Sequence, residues 1–357
     1  MGALRPAPGL PPGEGGSISG EELLPGGPMT WLAAGVPLGV FIATLWLTGV
    51  VLGWLRRKAI LDHPIERSSH RIAVPRGGGI AVMAVLVATW LALLAAGTLA
   101  PVMAVLVGIS VALALLSWRD DLGGLPILLR LLAHIAAVVL GLALLPETKI
   151  FSDLLPFWLD RIAAGLLWVW FINLFNFMDG IDGITGVETA ALGLGTALVL
   201  ALAGFADDGT AVMALSVGAA GAAFLGWNWH PAKLILGDVG SVPLGYVLGW
   251  LLLHLAGRGL WAPALILPLY YLADASLTMA WRILRSEPFW QAHRRHLYQR
   301  ALARDGNHAA VTRIVAAGDS ALTALALLAV SRPYLALALA VAVVAAMLLL
   351  MERRARS

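Results

Sequence analysis

Long apolar segments without charge, separated by short polar stretches, restrict the fold of this chain more than any other feature. A segment of about 20 apolar residues is long enough to cross the ~30 Å hydrocarbon core of a bilayer as a helix. Eleven candidate spans follow Thr30, at about 31–55, 78–98, 101–117, 127–145, 159–176, 187–204, 210–228, 239–257, 260–282, 311–331 and 334–351. Only 13% of the residues are charged, about half the usual share in soluble proteins. We therefore predict an all-α fold, a polytopic transmembrane helical bundle of about 10–11 spans.

The first 28 residues differ from the rest, because they are rich in Pro and Gly and contain no apolar run. Such a composition cannot bury enough surface to fold, and it lacks the basic start and hydrophobic segment of a signal peptide. Residues 1–28 are predicted to be a disordered tail, or the product of a start codon placed upstream of Met29. Residues 29–357 are predicted to form a single transmembrane domain. The absence of cysteine excludes a secreted, disulfide-rich class.

The basic residues predict an orientation. With the 56–77 loop in the cytoplasm and the spans alternating from there, 19 of the 24 Lys and Arg residues lie on the cytoplasmic side. The positive-inside rule therefore predicts an N-terminus outside and a C-terminus in the cytoplasm. Topology accounts for the excess of positive charge, so we expect no nucleic-acid partner.

Polar residues are also distributed unequally between the two sides. The predicted outward loops are short, whereas each of the five cytoplasmic loops carries a polar cluster. A protein that serves only as a membrane anchor would not need such clusters. The acidic and amide residues of these clusters are Asp120, Asp121, Asn173, Asn176, Asp179, Asp182 and Asp238. The basic residues are Arg67, His70, Arg76, His293, Arg294, Arg295 and His296. The five loops together are predicted to form the active site.

The residue types indicate a metal-assisted reaction on phosphates. Carboxylate and amide oxygens favour a hard cation, Mg²⁺ or Mn²⁺, and arginines favour the phosphates that accompany such a metal. Phosphoryl transfer on a nucleotide at the cytoplasmic surface is the chemistry that this combination predicts. No Gly-x-x-x-x-Gly-Lys-Ser/Thr element is present, which argues against a P-loop motor.

Four clusters also have simpler interpretations, and in one of them Asp238 fits an ordinary helix cap. The glycines Gly77, Gly78 and Gly79 after Arg76 are suited to present N–H groups to an anion, but they also fit a flexible entry into a helix. The Asp120-Asp121 pair also fits a solvated helix end. The basic loop from residue 282 to residue 311 also fits a strip that binds anionic lipids.

Four motifs, in order and on one predicted side, resemble those of the polyprenyl-phosphate N-acetylhexosamine-1-phosphate transferases. They are Asp120-Asp121, Asn173-x-x-Asn176-x-x-Asp179-Gly180-x-Asp182-Gly183, Gly237-Asp238-x-Gly240-Ser241 and His293-x-x-His296-Leu297-Tyr298-Gln299-Arg300. The resemblance extends from about Trp31 to Leu350. The last motif lacks the triple His of the phospho-N-acetylmuramoyl-pentapeptide translocase branch and is closer to the branch that initiates O-antigen and common-antigen synthesis. The Ala-Val-Pro-Arg-Gly-Gly-Gly of the first loop departs from the family, where Thr commonly precedes Pro.

The resemblance implies a reaction and its partners. The family transfers a sugar 1-phosphate from a UDP-N-acetylhexosamine to undecaprenyl phosphate, releases UMP and requires Mg²⁺. This implies the first membrane step of a cell-envelope polysaccharide such as lipopolysaccharide, carried out at the bacterial inner membrane with the site facing the cytoplasm. A homodimer is left open, as is the choice between a one-step mechanism and a covalent aspartyl-phosphate.

The resemblance also implies roles for residues. Asp238 and Asn176 would be the metal ligands, and Asp120 and Asp121 would line the phosphate-transfer site. The expected catalytic residues are Asp120, Asp121, Asp179, His293 and His296. Asp182 would contact the uracil ring, and the remaining expected substrate-binding residues are Asn173, Arg67, His70, Arg76, Arg294 and Arg295.

Two other classes of function compete with a transferase. A transporter for an anionic substrate would place ionisable residues near the bilayer midplane, and we count only His134 and Asp274 well inside the predicted spans. Asp274 is expected to be a structural partner of nearby polar groups. A scaffold for polymer assembly would not require five acids around a metal site.

Overall fold

The computed structural model describes residues 28–62, 73–145, 147–151, 154–205, 209–287, 293–302 and 306–356, with the side chains of the first helix described from residue 34. The predicted tail up to residue 27, and the predicted site residues Arg67 and His70, lie outside these ranges. Pro28, which was assigned to the tail, is the first residue of a helix.

The described chain is almost entirely helical. Thirteen helices are formed: α1 Pro28–Arg57, α2 Gly79–Ala95, α3 Met103–Gly123, α4 Ile127–Leu142, α5 Phe157–Phe177, α6 Ile184–Leu202, α7 Gly209–Asn228, α8 Asp238–Gly257, α9 Trp261–Ile266, α10 Leu269–Leu284, α11 Leu297–Arg300, α12 His308–Ala329 and α13 Pro333–Arg356. Two strands, β1 Leu61–Asp62 and β2 Val74–Pro75, pair antiparallel. Within the described ranges, eight helices are long and apolar enough to span a membrane, and α2 and α4 are shorter apolar helices. The prediction of a polytopic helical membrane protein is confirmed.

Two predicted spans differ from the observed helices. The ninth, 260–282, is divided into α9 and α10 just before Leu269, because Pro268 lacks the N–H that a continuous helix needs. The third does not end at residue 117 but continues to Gly123, and Gly124 then takes a positive φ of 70°. Asp120 and Asp121 therefore lie in the last turns of a helix rather than in a loop.

The helices form an enclosed centre and a lipid-facing rim. The central helix is α8, with 94% of its apolar window buried, whereas only 28–33% is buried in α1, α3, α5 and α13. Large apolar side chains such as Trp46, Leu128 and Leu166 are more than 60% exposed on the outer helices. Surfaces of this kind are stable against hydrocarbon and not against water.

Helix ends gather at two opposite faces of the bundle. One face collects the ends that carry the polar motifs, namely the last turns of α3, α5 and α7 and the first turns of α6, α8 and α12. At the other face, the Thr148 hydroxyl donates to the Gly257 carbonyl at 2.5 Å, and Trp261 packs on Tyr334. All described predicted site residues belong to the first face, which we call the polar face.

Glycines set the close packing of α6 on α7. A Cβ at Gly193 would overlap the backbone nitrogen of Gly218, and a Cβ at Gly218 would lie 2.8 Å from the Leu194 nitrogen. Small residues of this kind let membrane helices approach backbone to backbone. The α6–α7 pair therefore depends on the missing side chains at these two positions.

We expect Gly193→Ala to destabilise the protein by about 1–3 kcal/mol, because the added methyl group forces α6 and α7 apart. The measurement is thermal unfolding in detergent. The matched control is Gly108→Ala in α3, where a Cβ meets nothing within 4 Å. The control should be as stable as the parent or slightly more stable. An equal effect of both substitutions would contradict the packing argument.

Candidate active site

The segment around Arg76 is held against the start of α8 by backbone pairing. The Ile235 N–H donates to the Pro75 carbonyl at 2.9 Å, and the Gly77 and Gly78 N–H groups donate to the Ile235 carbonyl at 3.1 and 2.9 Å. The next N–H, of Gly79, donates to the Leu236 carbonyl. Of the two interpretations of these glycines, binding of phosphate by free N–H groups does not agree with the structure, since the partners of these groups are backbone carbonyls. Their function is to place Arg76.

Two arginines and three aspartates form one ion-pair network at the polar face. Arg76 bridges two carboxylates, with Nε 2.9 Å from Asp121 Oδ1 and Nη2 2.8 Å from Asp238 Oδ1. Arg130 bridges two more, with Nη1 2.9 Å from Asp120 Oδ2 and 3.8 Å from Asp238 Oδ2. The network therefore joins the first loop, the end of α3, the first turn of α4 and the first residue of α8.

Asp121 also caps α8. Its carboxylate accepts hydrogen bonds from the backbone N–H groups of Asp238 at 3.1 Å and Val239 at 2.9 Å. A negative charge at this position stabilises the positive end of the helix dipole. Gly237 is required here, because its φ is +79° and a Cβ would lie 2.9 Å from Asp121 Oδ2. The chain therefore enters α8 directly beside the carboxylate of α3.

The amide residues of the second motif lie on the neighbouring helix end. The Ser241 hydroxyl donates to Asn176 Oδ1 at 2.8 Å, which links the end of α5 to the first turn of α8. Asn173 lies one turn earlier and donates to the Val169 carbonyl at 2.7 Å. Asn176 is therefore next to the turn that begins with Asp238, as a shared metal site would require.

Asp179 lies between α5 and α6 and faces the network. Its Oδ1 accepts a hydrogen bond from the Thr185 hydroxyl at 2.6 Å. Burial, and to a smaller degree the nearby Asp238 carboxylate, raise the pKa of Asp179 to about 6. The group can therefore exchange a proton close to neutral pH, which suits an acid or base.

Asp182 forms a separate cluster with two histidines that the sequence analysis did not assign. Its carboxylate lies 2.5 Å from His230 Nδ1 and 3.4 Å from His308 Nδ1, and it accepts from the Ala232 N–H at 3.1 Å. The two imidazole rings stack with centroids 5.0 Å apart. In the part of the chain that the structure describes, this is the only group of three His, Asp or Glu residues with ligand atoms within 4.8 Å of one another. Asp182 is only 3% exposed, whereas the His230 side chain is 34% exposed.

The last loop is anchored by Asp274 from α10. Its carboxylate accepts from the backbone N–H groups of Leu297 at 2.9 Å and Tyr298 at 3.1 Å, and lies 3.5 Å from His296 Nδ1. The structural function predicted for Asp274 is confirmed. The Tyr298 hydroxyl then donates to the Phe177 carbonyl at 2.9 Å, so the loop lies against the end of α5.

The other residues of that loop lie nearer the surface. Arg295 forms an ion pair with Glu287, and Arg294 is exposed. His293 and His296 have ring centroids 4.8 Å apart. Burial, His296 and nearby arginines lower the pKa of His293 to about 4. His293 is therefore neutral at pH 7 and would act as a hydrogen-bonding group rather than as a cation.

The structure thus brings some predicted residues together and separates others. Arg76, Asp120, Asp121 and Asp238 share the network, and Asn176 and Asp179 adjoin it. Asp182 and the His293–Arg295 segment lie in neighbouring clusters of the polar face. The residues that the sequence analysis did not assign are Arg130, His230, Ser241 and His308. Arg130 could have been identified as a candidate site residue from the sequence, because a lone basic residue in the first turn of an apolar helix is unusual.

The sequence analysis also overlooked ionisable residues inside the spans. Besides His134 and Asp274, the acids Glu188 in α6 and Asp319 in α12 are buried inside the bundle, at 1% and 2% exposure. The count of two interior residues was therefore wrong.

We expect Asp179→Asn to change how stability depends on pH. Because folding raises the pKa of Asp179 from 3.8 to about 6, the folded parent holds this proton more tightly, and its stability falls as the pH rises from about 4 to about 6. The variant lacks this loss. Its melting temperature relative to the parent should therefore rise across this window and level off above it. A difference that is constant from pH 4 to pH 8 would contradict the assignment.

Comparison with known proteins agrees with this geometry. The profile of glycosyl transferase family 4 matches residues 102–256, which include every acidic member of the network and of the Asp182 cluster. A probable undecaprenyl-phosphate N-acetylglucosaminyl 1-phosphate transferase of Bacillus subtilis is 29% identical, over 74% of this chain and 76% of its own length. A decaprenyl-phosphate N-acetylglucosaminephosphotransferase of Mycolicibacterium smegmatis is 34% identical, over 60% of both chains. A phospho-N-acetylmuramoyl-pentapeptide-transferase of Chlamydia pneumoniae is 31% identical, over 62% of this chain and 70% of its own. The chain belongs to glycosyl transferase family 4, among the polyprenyl-phosphate N-acetylhexosamine-1-phosphate transferases.

Proposed function

We propose that this protein transfers an N-acetylhexosamine 1-phosphate from a UDP-sugar to a polyprenyl phosphate, undecaprenyl phosphate in the simplest case, and releases UMP. The observation that carries the proposal is the ion-pair network of Arg76, Arg130, Asp120, Asp121 and Asp238 at the ends of the membrane helices. The names of the relatives support the class of acceptor.

The arginines of the network are suited to bind phosphate. The side chains of Arg76 and Arg130 are 33% and 37% exposed, so both reach solvent although both contact carboxylates. The acceptor phosphate is mostly a dianion at pH 7, since its second pKa is about 6, and the obstacle to reaction is repulsion from the donor diphosphate. Guanidinium groups beside the transferred phosphoryl group would reduce that repulsion. Asp179, which adjoins the network, would accept a proton from the remaining monoanion.

The residues at the start of α8 fit a magnesium ion. The Asp238 carboxylate and the Asn176 carbonyl oxygen belong to adjoining helix ends, and the Ser241 hydroxyl joins them. All three are oxygen donors, which Mg²⁺ prefers and Mn²⁺ accepts. A bound Mg²⁺ would neutralise phosphate charge and stabilise the leaving UMP. The Asp182–His230–His308 cluster has the mixed nitrogen and oxygen donors of other metals and is less suited to Mg²⁺.

The branch of the family supports an envelope polysaccharide pathway. The Arg-x-His-Leu-Tyr-Gln-Arg sequence at 294–300 resembles the enzymes that initiate O-antigen and common antigen. We therefore propose the first membrane step of lipopolysaccharide or a related polymer, with UDP-N-acetylglucosamine and its isomers as the first donors to test.

Release of UMP from a panel of UDP-sugars tests the reaction. Purified protein is incubated with undecaprenyl phosphate, Mg²⁺ and each donor, and UMP is measured. We expect release with at least one UDP-N-acetylhexosamine. EDTA should abolish it and excess Mg²⁺ should restore it. No release with any donor would contradict the reaction, and full release in EDTA would contradict the metal.

We expect Asp238→Ala to reduce the exchange of labelled UMP into the UDP-sugar by about 10²-fold or more, because a metal ligand and the shared partner of Arg76 and Arg130 are lost. The control is Glu352→Ala in α13, which removes the carboxylate that pairs with Arg300. Both variants should elute as folded protein from a sizing column. Normal exchange in Asp238→Ala would contradict the assignment.

We propose that the polar face is cytoplasmic, with the N-terminus outside. The chain contains no cysteine, so single cysteines can be labelled without background. Lys58→Cys lies at the polar face and Ser331→Cys at the opposite face, and both positions are exposed. In intact cells, a membrane-impermeant maleimide should label Ser331→Cys but not Lys58→Cys. The reverse pattern would contradict the orientation.

A further inference from the structure

Two carboxyl groups meet inside the bundle, and the proposed reaction does not use them. Glu188 lies four residues after the start of α6, about 6 Å into the bundle. It faces Asp319 of α12, and the two carboxyl groups are close neighbours, both almost completely buried. Ionisable residues at such positions in membrane proteins are costly, and they commonly carry protons or ions.

The packing of α6 on α12 brings the two carboxyl groups to the same level of the bundle. A Cβ at Gly183 would lie 3.3 Å from the Thr312 methyl group, and a Cβ at Gly195 would lie 3.4 Å from the Thr323 hydroxyl. The two helices therefore run in the same direction, and Glu188 and Asp319 occupy one level of their interface.

The pair lacks a hydrogen-bond donor. Within the described chain, no group donates a hydrogen bond to any of the four carboxyl oxygens of Glu188 and Asp319. No basic side chain is among the groups that act on either carboxyl. Two adjacent carboxylates in this low-dielectric environment would repel strongly. A single proton between them would remove one charge and supply the missing hydrogen bond.

A buried hydroxyl also faces the pair. Tyr271 of α10 is fully buried, and its hydroxyl makes no hydrogen bond of normal geometry. The carboxyls of Glu188, Asp319 and Asp179 are close enough to act on it electrostatically, and it adjoins the Thr185 hydroxyl. Because the Thr185 hydroxyl donates to Asp179, polar groups extend from the candidate active site to the pair.

The surrounding helices contribute few other titratable groups. α7 and α9 contain none. From α10, Tyr270 and Tyr271 both lie within electrostatic reach of Asp319. Asp238, Tyr246 and His254 of α8 are not among the groups that act on Glu188.

We propose that Glu188 and Asp319 form a buried proton-binding site, which holds one proton in a hydrogen bond between the two carboxyls and exchanges it with Asp179 through Tyr271 and Thr185. The site lies outside the ion-pair network and does not depend on the proposed reaction. The carboxyl pair thus holds, inside the membrane, a proton that can be exchanged with the polar face.

Infrared spectroscopy of the full chain in detergent tests whether a proton is held. A protonated carboxylic acid has its own carbonyl band, which shifts in D₂O. We expect this band at pH 7 in the parent and its loss in the double variant Glu188→Gln, Asp319→Asn, whose side chains have nearly the same shape and keep the fold. Absence of the band in the folded parent would overturn the proposal. A band that appears only after Na⁺ is replaced by choline would overturn it too, because a sodium ion would then occupy the site.

The rate of hydrogen–deuterium exchange of that band tests the path. Tyr271→Phe removes the connecting hydroxyl and should slow exchange about tenfold or more. The matched control is Tyr246→Phe in α8, because the Tyr246 hydroxyl is also buried without a hydrogen bond of normal geometry. The control should exchange at the parent rate. An unchanged rate in Tyr271→Phe, or an equal slowing in both variants, would overturn the path to Asp179.

Discussion

The candidate site depends on one interaction, the hydrogen bonding of the Asp121 carboxylate to the first N–H groups of α8. The same carboxylate, at the start of the most enclosed helix, also pairs with Arg76. A single side chain from α3 therefore fixes the end of α8, the direction of Asp238 and the position of the first loop. The carboxylates of the network would repel one another without the two arginines. The carboxylates and the arginines of the network therefore stabilise one another.

The sequence was sufficient for the helical scaffold and for the gathering of the acidic residues at one face of it. The spans follow from hydropathy alone, and acids such as Asp120, Asp179 and Asp238 could be assigned to one face because alternation of the spans puts them there. Contacts between distant segments could not be predicted. The pairing of Gly77 with Ile235 and the approach of His308 to Asp182 depend on how loops more than a hundred residues apart meet. A local sequence motif carries no information about such long-range contacts.

The interior acids show a different limit of sequence reasoning. A lone Glu188 or Asp319 hardly lowers the mean hydropathy of a 20-residue window, so each was hidden in an apolar segment. The argument against a transporter relied on few interior ionisable residues, and the structure weakens it. Membership of glycosyl transferase family 4 decides the class of protein instead. The broken helix at Pro268 and the carboxyl pair are then features of a transferase scaffold.

The contrast between α8 and the outer helices has a consequence for how the protein responds to its membrane. Most residues of α1, α3, α5 and α13 are not buried within the bundle, whereas 94% of the apolar window of α8 is. A thicker or thinner bilayer therefore acts first on the rim, and α3 carries that effect directly to Asp238, because the Asp121 carboxylate at its end accepts the first N–H groups of α8. The start of α8 is therefore coupled to the membrane through one rim helix, although α8 itself is enclosed.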